Sequence, residues 1–189
     1  MKVTGIILAG GQGRRMGSVD KGLVLLHGKP MVAHVTDRFA PQVDELLINA
    51  NQNAEEYARL GYRVIPDAMT GYAGPLAGLQ TGLAKAGHEL VATVPCDSPF
   101  LPHDLVARLK SALMAHDAQL AVAVIGSQPH PVFCLCRRDV LPHLTDFLDH
   151  GGRKIDAWYA TLKVIEVNFD DEADAFMNIN TPQELKAAQ

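Results

Sequence analysis

Val3-Thr-Gly-Ile-Ile-Leu8 runs directly into Ala9-Gly-Gly-Gln-Gly-Arg-Arg-Met-Gly-Ser-Val-Asp-Lys21-Gly22. The first six residues read as a buried strand. The remainder is a glycine-rich loop carrying two arginines and then a lysine. Glycines let backbone N–H groups close on an anion without interference from Cβ, and the cations supply charge for a polyphosphate. A chain that opens this way is expected to bind a nucleoside triphosphate.

The two common nucleotide fingerprints both fail here. After Gly11-Gln-Gly13 the third glycine of a dinucleotide loop falls one place late, at Gly17. Gly17-Ser-Val-Asp-Lys21-Gly22 lacks both the spacing and the hydroxyl residue of a Walker loop. A plain turn with solvent-exposed arginines is the alternative reading, and three cations in one turn-rich stretch count against it.

Outward from this loop the chain alternates between strand and helix. Strands are predicted at Val3–Leu8, Glu45–Ile48, Arg63–Ile65, Leu90–Val94, Leu120–Ile125, Val132–Cys136 and Lys163–Val167. Helices are predicted at Met31–Phe39, Ala54–Leu60, Pro75–Ala86, Pro102–His116, Arg138–Leu148 and Arg153–Ala160. Thr181-Pro-Gln-Glu184 is a capping box that opens a last helix. Continuous apolar strands alternating with helices imply a parallel-rich sheet covered on both faces. In such sheets ligands gather at the carboxyl ends of the strands. Gly10, Asn49, Asp67 and Asp97 all fall at or just beyond predicted strand ends, so one site along that edge is expected.

Composition narrows the class. The 189 residues are 48% hydrophobic and 20% charged, which suits a single domain with a substantial core. The net charge of −4, without a basic block, argues against nucleic acid or an anionic membrane surface as partner. The apolar runs are too short to span a bilayer, and the stretch before Gly10 is thin for a signal peptide. Cys96, Cys134 and Cys136 are odd in number and contain no CxxC pair, which fits a reducing cytoplasm rather than a disulfide or zinc framework. Cys134 and Cys136, two apart on a strand, share one face and read as core. No HxxxH pair occurs among the eight histidines.

Each candidate residue carries a specific chemistry. Asp97 ends an apolar strand, where a carboxylate can hold Mg²⁺ together with substrate phosphates or simply cap the next turn. Cys96 has no sequence-adjacent histidine to activate it as a nucleophile. Asn49 offers both a donor and an acceptor to a base edge. Asp67 could contact base, ribose or metal, or be a turn residue. Gly78 and Gly82, four apart, leave a bare helix face for a ligand or for the sheet. Gly151-Gly-Arg153-Lys154 is a basic loop able to close over an anionic second substrate. Asp170-Asp-Glu172 reads as a solvated turn.

Taken jointly, Leu8-Ala-Gly-Gly11, Arg14-Arg-Met-Gly17, Asp20-Lys21, Gly28-Lys-Pro30, Asn49-Ala-Asn51, Pro75-Leu-Ala-Gly78, Pro95-Cys-Asp97 and Asn178-Ile-Asn-Thr-Pro182 resemble the molybdenum cofactor guanylyltransferases. The likeness spans nearly the whole chain. It implies a Rossmann-like three-layer α/β/α fold with a mostly parallel mixed sheet, of the nucleotide-diphospho-sugar transferase type. It implies transfer of GMP from GTP to molybdenum-bearing molybdopterin, with release of pyrophosphate and with Mg²⁺ as cofactor. By this resemblance Leu8, Ala9, Gly10, Gly11, Asn49, Asp67 and Gly78 hold GTP. Lys21 and one arginine of the Arg14–Arg15 pair, taken as Arg15, offset phosphate charge, and Asp97 holds the metal. Asn178 and Asn180 fall on the molybdopterin side or in the surroundings of the metal, and Arg153 of the basic loop joins them as a candidate molybdopterin contact. Transient contacts with proteins that deliver molybdopterin and accept the product are implied as well. The rival readings are a CTP-dependent cytidylyltransferase for the same pterin, a sugar-1-phosphate nucleotidyltransferase, a non-catalytic nucleotide-binding assembly module, and a dinucleotide-dependent oxidoreductase, which the displaced glycine disfavours.

Overall fold

The computed structural model describes residues 1–10, 20–68 and 74–188. Gly11, Arg14 and Arg15 therefore lie outside the described residues. In chain order the elements are β1 (Val3–Leu8), β2 (Leu25–Leu26), β3 (Lys29–Pro30), α1 (Met31–Phe39), β4 (Glu45–Asn49), α2 (Ala54–Ala58), β5 (Arg63–Ile65) and α3 (Pro75–Lys85). They continue with β6 (Leu90–Pro95), α4 (Leu105–Ala115), β7 (Leu120–Ile125), β8 (Gln128–Arg137), α5 (Leu141–Asp149), α6 (Ile155–Tyr159), β9 (Val164–Asn168) and α7 (Pro182–Ala187).

Seven strands form one sheet in the order β5-β4-β1-β6-β8-β7-β9. Only β8 runs against its neighbours. β1 is buried along nearly its whole length and apolar but for Thr4, because both faces of the sheet are covered. Consecutive strand residues point to opposite faces, so Ile7 enters one core layer with Phe39, Leu109 and Leu113, while Ile6 enters the other with Leu76, Leu83, Leu144 and Trp158. α1 and α4 thus cover one face, and α3, α5 and α6 the other. α3 packs so closely on β1 that a Cβ built on Gly82 would stand 1.9 Å from Ile6 Cδ1.

The sheet is mostly parallel and mixed, as expected, with three details beyond the sequence reading. β7 and β8 are joined by the two-residue turn Gly126-Ser127, with Gly126 at φ +58° and Ile125 paired to Gln128. A turn that short joins only antiparallel strands. β8 also begins at Gln128 rather than Val132, because Pro129 and Pro131 are accommodated near an irregularity in the β7–β8 ladder. The small β2–β3 hairpin, which the periodicity does not signal, presents Leu26 to a third cluster with Met31 and Ile179, against which Val24, Phe100 and Leu185 pack. That cluster brings the C-terminal segment alongside the residues that follow the glycine loop.

The strand register decides where the chemistry gathers. Leu8 lies opposite both Asn49 and Pro95, and Asn49 lies opposite Ile65. Four parallel strands therefore end level with one another. Gly10, Asn49, Asp67 and Asp97 share one rim, as expected.

Candidate active site

Two groups of side chains occupy this rim. The first surrounds Lys21. Asp20 caps a short 3-10 turn, Lys21–Leu23, by accepting from the Gly22 N–H at 3.3 Å. From that turn the Lys21 ammonium donates to Asn180 Oδ1 at 2.5 Å and stands 3.4 Å from Asp97 Oδ2. The Asp97 side chain is only 11% exposed. Burial pushes its carboxyl above the usual range, and the Lys21 ammonium pulls it back only in part. Asp97 is thus an acid group short of solvation, with the Lys21 ammonium beside it.

The partners of this pair come from the far end of the chain. Ile179 N–H donates to the Asp97 carbonyl at 2.9 Å, and its side chain is buried in the third cluster. In an extended segment the residues on either side of a buried one face the other way. Asn178 and Asn180 do so: Ser98 Oγ donates to Asn178 Oδ1 at 2.5 Å, and Asn180 meets Lys21. The capping box of α7 fixes this arrangement. Glu184 accepts from the N–H groups of Asn180 at 2.6 Å and Thr181 at 2.9 Å, while Thr181 Oγ1 accepts from Glu184 N–H. Those N–H donors hold the Glu184 carboxyl below its ordinary value.

The second group surrounds Asn49, which is 2% exposed. Its Nδ2 donates to Asp67 Oδ1 at 2.8 Å and to the Ile65 carbonyl at 3.2 Å. The other oxygen of Asp67 accepts from Asn51 Nδ2 at 2.8 Å, and Asp67 N–H donates to Asn51 Oδ1 at 2.7 Å. With its amino side committed, Asn49 turns its carbonyl oxygen toward two glycines. A Cβ on Gly78 would lie 2.4 Å from that oxygen, and a Cβ on Gly10 3.4 Å from it. Asp67 thus spends both oxygens on orienting Asn49 and Asn51. Of the bare face on α3, the sheet takes the Gly82 end and the Asn49 amide the Gly78 end.

The structure brings Lys21, Asp97, Asn178 and Asn180 together, and separately joins Gly10, Asn49, Asp67 and Gly78, with Leu8 Cδ2 also against Gly78. Ala9 N–H is engaged by the Asn49 carbonyl at 2.8 Å. Arg153 is not drawn into either group: its guanidinium donates to Leu148 O at 2.8 Å and Gly152 O at 2.6 Å, closing the end of α5. The Asp170–Glu172 turn is exposed, but Asp171 pairs with both Nη atoms of Arg108, which also lies 3.9 Å above the Phe169 ring. All three cysteines are buried and free, and burial raises the Cys96 thiol well above its ordinary value, which disqualifies it as a nucleophile. Among the described residues no cluster of three or more His, Cys, Asp or Glu side chains could hold a metal. Ser98 and Glu184 were not anticipated as site residues. The capping-box spacing marked Glu184 as a helix signal only, and Ser98 carries no signal beyond its place after Asp97.

Comparison with known proteins bears on this geometry. The family model of the MobA-like NTP transferase domain matches residues 5–164. The chain belongs to that family. The molybdenum cofactor guanylyltransferase of Shewanella halifaxensis is 48% identical over 183 residues, 97% of this chain and 92% of its own. The enzyme of the same name from Shewanella amazonensis is 48% identical over 186 residues, 98% of this chain and 95% of its own. Among solved structures, molybdopterin-guanine dinucleotide biosynthesis protein A from Archaeoglobus fulgidus superposes with a TM-score of 0.83 at 25% identity, covering 98% of this chain and 96% of its own. A 4-diphosphocytidyl-2C-methyl-D-erythritol synthase from Anaerococcus prevotii, at a TM-score of 0.75 and 14% identity over 99% of this chain and 96% of its own, shares the MobA-like fold.

Proposed function

We propose that this protein transfers the GMP moiety of GTP to the terminal phosphate of molybdenum-bearing molybdopterin, forming the guanine dinucleotide cofactor and releasing pyrophosphate. The name and full-length match of the guanylyltransferase relatives support the reaction. The single structural observation that carries it is the Lys21 ammonium set between Asn180 Oδ1 and the buried Asp97 carboxylate at the level ends of four strands.

The chemistry asks little of a general base, because the attacking phosphate oxygen is already ionised near neutral pH. It attacks the α-phosphorus of GTP, a new P–O–P bond forms, and the bond to the β-phosphate oxygen breaks with its electron pair leaving on pyrophosphate. The difficulty is to bring two polyanions together, so positioning and charge neutralisation are what the protein must supply. Lys21 offsets charge on the phosphates. Asn49 presents its side-chain oxygen to the N–H donors of a guanine edge; Gly78 leaves the room that seats the Asn49 amide, and Gly10 stands bare beside it. Asn178 and Asn180 line the side on which the second substrate enters, and the Arg153 loop stands as a further anion contact once its helix-end bonds are exchanged. Mg²⁺ fits the donor set, since an under-solvated carboxylate at Asp97 is what an ion that binds through few carboxylates plus substrate phosphates requires. When bound, it would polarise the α-phosphate and screen the approaching charges. The buried, unpaired cysteines are consistent with work in the cytoplasm. A labile cofactor product implies brief contacts with the proteins that deliver and accept it.

The test is pyrophosphate release and mass-spectrometric detection of the dinucleotide on mixing the protein with Mg²⁺, molybdopterin and either GTP or CTP. Product with GTP and little with CTP is expected. Equal or faster turnover of CTP, or binding of GTP without pyrophosphate release, overturns the reading.

A further inference from the structure

Lys21 is held at its tip by Asn180 and Asp97, and the turn that carries it is held from below by a residue on a different element. Tyr57, on α2 in the crossover from β4 to β5, is completely buried. Its hydroxyl donates to Asp20 Oδ1 at 2.5 Å. The second oxygen of Asp20 accepts from Asn53 Nδ2 at 3.0 Å, one turn earlier in the chain than Tyr57. On the other side of Lys21, a Cβ at Gly22 would stand 2.5 Å from Tyr57 Oη and 3.3 Å from Cys96 Cβ. Both chain neighbours of Lys21 thus rest on one phenol, which lies in the same core cluster as Cys96, the residue preceding Asp97.

From this contact we propose that Tyr57 is a positioning residue for the transfer reaction: its hydroxyl fixes Asp20, and through Asp20 the turn that aims the Lys21 ammonium at the phosphates. The proposal rests on Lys21 acting as the function above assigns it. A phenylalanine would fill the same volume, so core packing does not account for the hydroxyl. A buried hydroxyl needs an acceptor, and this one finds it at the N-cap carboxylate of the lysine turn rather than at a core carbonyl. Burial, together with the neighbouring acidic groups, holds the phenol protonated far above neutrality, so it stays a donor at any working pH. Misplacing a charge-stabilising group by about 1 Å can cost on the order of a hundredfold in rate.

The experiment uses the full chain and measures single-turnover GMP transfer, KM for GTP and thermal midpoint for Tyr57→Phe and Lys21→Ala and for the two combined. Tyr57→Phe is expected to lower kcat about ten- to hundredfold with KM for GTP little changed. In the Lys21→Ala background, Tyr57→Phe is expected to cause no further loss, because its effect passes through Lys21. Asp20→Asn, made at the partner end of the same hydrogen bond, is expected to reproduce the kcat loss, and it carries the test if Tyr57→Phe does not fold. Full kcat in both Tyr57→Phe and Asp20→Asn, or an equal loss with and without Lys21, overturns the proposal while leaving the site reading intact. Full turnover by Lys21→Ala alone overturns the site reading and the proposal with it.

Discussion

The two groups on the rim are built in opposite ways. The Asn49 group is a product of strand register: residues 49, 51 and 67 end or follow adjacent parallel strands, and two amide-to-carboxylate bonds of 2.8 Å, with a 2.7 Å bond from the Asp67 backbone N–H to Asn51 Oδ1, lock them without a cation among their partners. The Lys21 group joins three segments far apart in the chain, around positions 21, 97 and 180, and it holds a carboxylate that burial makes reluctant to ionise. On the proposed function, one half is a preformed shape for a base. The other carries under-compensated charge, which suits polyphosphate chemistry and costs the fold something.

That contrast breaks most sharply at Asp97. Asp97→Asn is expected to abolish GMP transfer in the presence of Mg²⁺, with a thermal midpoint at pH 7 that stays level or rises. The sign follows from the raised carboxyl. A folded-state value above the unfolded one means that stability is lost as pH climbs through the window between them, so removing the charge relieves the native state at neutral pH. Retained turnover, or a midpoint several degrees lower, would contradict the assignment. Next in size, Lys21→Ala is expected to lose about 2–4 kcal/mol of transition-state stabilisation, the range seen when a charge-stabilising donor is removed, read as kcat/KM.

The Asn49 half should respond in binding rather than in rate. Gly78→Val drives a side chain into the Asn49 carbonyl and is expected to raise KM for GTP at least tenfold, on the order of 1.4 kcal/mol. Gly82→Val runs first into Ile6 and is expected to lower stability by about 1–3 kcal/mol through overpacking, with KM for GTP preserved. If the two variants behaved alike in both assays, the base-side reading of Gly78 would fail. The smallest effect is expected at the helix that steadies Asn180: Thr181→Ala removes the cap of α7 at a cost of about 1 kcal/mol, with a modest fall in kcat. Because Glu184 is held below its ordinary value by the same N–H groups, this support is present above the unfolded carboxyl range and fades as pH drops through the folded one.

Much of this architecture was legible in the sequence because it rests on short-range signals. The apolar run at Val3–Leu8, the helix bounds at Met31 and Pro75 and the Thr181–Glu184 box each follow from local patterning, and the level strand ends follow from parallel pairing. The direction of β8 was not legible without recognising Gly126-Ser127 as a hairpin turn, since periodicity says nothing about strand polarity. Nor was the distribution of partners. A carboxylate after a strand reads the same whether it binds metal, as proposed for Asp97, or orients two amides, as Asp67 does. Only tertiary contact separates them. Tyr57 is the extreme case: its ring belongs to the core by any pattern, and nothing local reveals where its hydroxyl points.

The central claim is that one nucleotide bridges the two groups, with its base edge at the Asn49 carbonyl and its phosphates between Lys21 and Asp97. A crystal structure of the protein with GTP and Mg²⁺ tests this directly. The account predicts the guanine donors within hydrogen-bond reach of Asn49 Oδ1, a phosphate oxygen on Lys21 Nζ, and the ion bound by Asp97. A nucleotide seated away from the level strand ends, or phosphates that leave Lys21 bonded to Asn180 and Asp97 as it is without them, would contradict it.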